Sequence, residues 1–65
     1  MIKHIKTAIG KNGTKYRILH DVRALELILQ AFDKETREYV ILYRTPFWDD
    51  MHKNFEAFLR LESQE

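Results

Sequence analysis

Hydrophobic positions recur at roughly every second residue through the first two thirds of this chain and at helical spacing near its end. The clearest interruption is Gly10-Lys11-Asn12-Gly13, where glycine accepts positive φ at low cost and asparagine tolerates the left-handed region. This turn separates residues 2–9 from a segment beginning at Thr14, and the spacing predicts two antiparallel strands joined there. In residues 14–22, Tyr16, Ile18 and Val22 fall on one side, with Lys15, Arg17 and Asp21 on the other. Leu19 and His20 break that alternation.

Residues 24–32 fit two periods. Leu25, Leu27, Leu29 and Ala31 repeat every second residue, whereas Val22, Leu25, Leu29 and Phe32 fit a helix with Asp21 as its N-cap. Local propensity favours the helix. The following segment favours a strand: Asp33-Lys34-Glu35-Thr36 is a polar connection, and residues 39–43 are β-branched and aromatic. A strand of that kind needs an antiparallel neighbour, so 24–32 and 39–43 are expected to form a hairpin.

The pattern changes at Thr45-Pro46. Thr45 is suited to an N-cap and Pro46 to the first helical position, while Asp49 and Asp50 would meet the positive end of the helix dipole. Phe47, Met51, Phe55, Phe58 and Leu59 then fall on one helical face, and Asp50, Lys53, Glu56 and Arg60 on the other. Residues 59–62 also alternate like a short final strand.

Length limits what such a domain can do. The 65 residues form one domain, of a size that buries only about 60% of its unfolded surface. There is no cysteine to reinforce the core, so four Phe, three Tyr and one Trp supply much of its area. No apolar run approaches a membrane span, and the first residues lack the unbroken apolar stretch of a signal peptide. A cytoplasmic protein with no membrane association is expected.

The net charge of +1 is unevenly placed. Residues 1–23 carry six basic side chains against Asp21 alone, a net of +5, and the remainder carries a net of −4. Such asymmetry marks an anionic partner, or two oppositely charged halves that fold back on each other.

Residues 31–44, Ala-Phe-Asp-Lys-Glu-Thr-Arg-Glu-Tyr-Val-Ile-Leu-Tyr-Arg, resemble the A-R-H-S-E-T-L-E-E-L-V-V-Y-R stretch of a family of short bacterial proteins of unknown function. Lys15-Tyr16-Arg17 is similar to that family's opening K-Y-R-H motif, and Asn54-Phe55-Glu56-Ala57-Phe58 to its closing R-P-L-E-M-F motif. The resemblance implies a small SH3-like barrel and no catalytic residue.

The chemistry-bearing residues are sparse. His4, His20 and His52 show no paired spacing, and Asp49-Asp50-Met51-His52 would splay its carboxylates on a helix; a metal site needs three or four convergent ligands. Ser63 is the only serine, and no phosphate-binding glycine loop is present. Neither enzyme activity nor a cofactor is expected. The fold expected is mainly β, an SH3-like antiparallel barrel with a helical segment after Pro46. Its alternative is an α+β meander with one long C-terminal helix. The function expected is a non-catalytic binding or adaptor module. It would take a protein partner, or a second copy in a homodimer, through Phe47 and Trp48. The alternative is a single-stranded nucleic-acid binder using Lys3, Lys6, Lys11, Lys15, Tyr16 and Arg17.

Overall fold

The computed structural model describes residues 1–11 and 13–62, with side chains through Arg60. Four strands precede one helix: β1 (Ile2–Ile9), β2 (Lys15–Asp21), β3 (Glu26–Asp33), β4 (Glu38–Thr45) and α1 (Trp48–Glu62). Each strand pairs antiparallel with the next, so the sheet order is β1-β2-β3-β4. The architecture is therefore mainly β, a meander with one C-terminal helix packed on it. It departs from a closed SH3-like barrel: β1 and β4 remain at opposite edges. Four strands are too few to wrap a core by themselves, and α1 covers the face that closure would have lined.

The hairpin reading of residues 24–32 is correct in type, and the helix reading is overturned. Asp21 does accept backbone N–H groups as an N-cap would, from Arg23 (3.1 Å) and Ala24 (3.2 Å). The chain then turns back instead of continuing as helix. Leu25 sits in that turn at φ 55°, not on the inward face with Leu27 and Leu29. The next turn repeats the design. Asp33 accepts from the Glu35 N–H at 2.9 Å, its carbonyl accepts from the Arg37 N–H at 2.8 Å, and Arg37 takes φ 60°.

The register explains the residues that broke the sequence pattern. Tyr16 pairs with Ala31 and Ile18 with Leu29, and this face packs against Met51 and Phe55 of α1. Strand alternation then puts Leu19 and Ile28, themselves a cross-strand pair, on the other face. Both are buried although no helix covers them. The strand is amphipathic on neither side, so a two-period pattern could not hold. Val22, assigned to the inward face with Tyr16 and Ile18, lies exposed in the turn beyond β2. Register shifts insert Ile5 in β1 and Leu42 in β4, placing a bulge on each edge strand, a device that discourages open-ended sheet pairing.

The helix begins two residues later than Thr45-Pro46 suggested. Thr45 ends β4, and its Oγ1 accepts the Phe47 N–H at 3.3 Å. The first helical hydrogen bond runs from the Met51 N–H to the Phe47 carbonyl. Met51 and Phe55 are 0% and 2% exposed, and burying each stabilises the fold by about 1.5–3 kcal/mol. Residues 59–62 continue the helix rather than forming a final strand.

Candidate partner-binding surface

Antiparallel pairing brings distant parts of the chain to one end of the sheet. Ile2 is opposite Asp21, Asp21 opposite Glu26, and Leu27 opposite Thr45, while the Val22 N–H bonds the Met1 carbonyl at 3.0 Å. The start of β1, the β2–β3 turn and the β4–α1 junction therefore share this end. Met1, Ile2, Val22, Leu25, Phe47 and Trp48 are all exposed there. Phe47 and Trp48 retain 68% and 46% of their surface, and Leu25 retains 69%. In a domain this small, six uncovered large side chains at one end represent a sizeable apolar surface left unused by the core.

Trp48 is the first residue of α1, ahead of the turn that buries Met51, and its neighbour along the helix surface is His52. The rings of Trp48 and His52 stack one turn apart with centroids 5.5 Å apart. Leu25 occupies a left-handed position that most side chains avoid, at a cost of about 1–2 kcal/mol.

The junction holding Phe47 and Trp48 is fixed by polar contacts. The Tyr43 hydroxyl donates to Asp50 Oδ2 at 2.6 Å, and Asn54 Nδ2 donates to the Asp50 carbonyl and Oδ1 at 2.8 and 3.3 Å. The bond from Tyr43, followed by one from Thr45, holds the Asp50 carboxyl below the ordinary carboxylate range. The same bond to Asp50, then burial, pushes the Tyr43 hydroxyl above its usual value. Asp50 thus belongs to the junction rather than to the outer helical face on which its spacing had placed it.

The six residues of the expected nucleic-acid surface do not share one face. Tyr16 is 6% exposed and part of the core, so it offers no ring for stacking; its apolar neighbours from α1 cover it. Lys6 projects to the helix side, its Nζ 5.0 Å from the Phe55 ring centre, and Lys3, opposite His20, lies on that side too. Lys15 and Arg17 point to the helix-free face by alternation, while Lys11 is exposed in the first turn. The Arg17 guanidinium lies 3.5 Å over the Tyr39 ring, and its Nε donates to Gln30 Oε1 at 2.7 Å. Phe32 packs edge-on against Tyr39 with centroids 5.2 Å apart. Sequence reasoning had not singled out Phe32 and Tyr39, because only the register places them beside Arg17.

The histidines stay apart. His4 is hydrogen-bonded to Thr7, His20 pairs between Lys3 and Leu27, and His52 stacks on Trp48. Among the described residues, no three metal-ligating side chains converge, and no helix is long and apolar enough to cross a membrane. A shallow depression between the first turn and the end of α1 is lined by Ile9, Gly10, Lys11, Glu56, Leu59 and Arg60.

No family model, curated protein or solved structure matches the chain.

Proposed function

We propose that this chain is a non-catalytic binding module that takes a protein partner on its apolar end, with Phe47 and Trp48 as anchors. The observation that carries this reading is the gathering of six uncovered apolar side chains at one end, from three separate segments. Large aromatic side chains dominate binding energy because they bring area with few rotatable bonds. A rigid hydrogen-bonded junction holds both rings out from the core, so little ordering cost remains on binding.

The test is selection of random peptides on the immobilised domain, repeated with Phe47→Ser/Trp48→Ser. Peptides enriched on the parent and lost on the variant support the reading, and Trp48, the only tryptophan, should shift its emission to the blue on binding. Equal enrichment on both proteins would remove it.

A second reading rests on the other face. Phe32 and Tyr39 share it with Arg17 and Lys15, a combination of rings and cations suited to a single nucleic-acid strand. Salt-sensitive retention on immobilised single-stranded DNA supports this reading, and absence of retention at about 50 mM salt rejects it.

A further inference from the structure

Resting on the reading of the apolar end as a protein-binding surface, we propose that its occupant is a second copy of this chain. A two-fold axis would set Phe47 and Trp48 of each copy against Ile2, Val22 and Leu25 of the other. Breadth is the first reason. The exposed residues run from the edge strand β1, across the β2–β3 turn, to the β4–α1 junction. Each side chain leaves on the order of 100 Å² uncovered, so the end offers on the order of 600 Å² of apolar surface. With its polar rim, it approaches the roughly 800 Å² per partner of a standard interface.

Charge is the second reason. An interface between identical copies must be complementary to itself. Here the β1 side and the β2–β3 turn present exposed Lys3 and Arg23, beside half-buried Asp21 and Glu26, and the helix start presents exposed Asp49, with Lys53 one turn further along. Asp50 is already held by Tyr43, and Arg44, opposite Ile28, lies on the helix-free face. A two-fold arrangement brings the basic side of one copy to Asp49 of the other. The whole chain has the same polarity, +5 over residues 1–23 and −4 over the rest. Leu25 is the third reason: glycine or asparagine would relieve its positive φ, and a docked copy would make use of its exposed side chain.

Sedimentation velocity on the full chain tests the proposal. The parent should show a concentration-dependent monomer–dimer equilibrium. Leu25→Asn and Phe47→Ser should each weaken it by about tenfold or more, and Leu25→Asn should keep or raise the melting temperature of the dilute protein. Lys3→Glu and Asp49→Lys should each weaken the dimer singly and restore it together. A parent that stays monomeric to about 500 µM overturns the proposal. So does a dimer insensitive to Leu25→Asn and Phe47→Ser, or a charge pair without rescue. A monomeric parent that still selects Phe47-dependent peptides would overturn the second copy while leaving the binding module in place.

Discussion

The Tyr43 hydroxyl donates a 2.6 Å hydrogen bond to the Asp50 carboxylate, tying the last strand to the first turn of the helix. This contact spans the β4–α1 junction, on which Phe47 and Trp48 lie exposed. Sequence and site meet in this pair: seven residues apart, one ends a strand face and the other opens a helix.

Its titration has a definite sign at both ends. Asp50 has a lowered pKa in the folded protein, so its contribution is present above the unfolded value of about 3.9 and lost as pH falls through the folded one. Tyr43 has a raised pKa, so its contribution is present below about 10 and lost as pH rises through the raised value. The melting temperature of Tyr43→Phe should lie below that of the parent by a constant margin between about pH 5 and pH 9. The margin should shrink on either side. A margin that stays constant while acid protonates Asp50 would show that the hydrogen bond is not formed in solution.

Leu25→Gly should stabilise the domain. Relief of a left-handed leucine is worth about 1–2 kcal/mol, offset by roughly 0.5–1 kcal/mol of added freedom in the unfolded chain. Urea unfolding of the dilute protein, where association does not contribute, should show a gain of a few tenths to about 1 kcal/mol. A loss would mean that Leu25 packs on something within its own copy.

Leu29→Ala removes a fully buried side chain from between the sheet and α1 and should cost about 3 kcal/mol. For a domain of this size, that is a large share of its stability. A cost under about 1 kcal/mol in urea unfolding would mean that the helix does not dock over β3.

Arg17 and Tyr39 stack across the helix-free face. A double-mutant cycle with Arg17→Met and Tyr39→Leu should return a coupling of about 0.5–1 kcal/mol. Additive effects would place the two side chains apart.

Local patterns along the chain determined a great deal. Gly10 and Gly13 marked the first turn, Asp33 and its polar successors the third, and the spacing of Met51, Phe55 and Phe58 the helix. These signals act over a few residues and survive without knowledge of the rest of the molecule. Asp21 was ambiguous because its carboxylate caps backbone N–H groups equally well at a helix start and in a hairpin turn. Only pairing of β2 with β3 selected the turn. Tertiary structure likewise decided that Tyr16 is core, that Leu19 and Ile28 share the second face, and that the sheet stays open. Closure depends on whether the first and last strands meet, and no short-range pattern encodes that. The apolar end belongs to the same class. Ile2, Leu25 and Trp48 are far apart in sequence, and antiparallel pairing gathers them because it returns alternate strand ends to the same place.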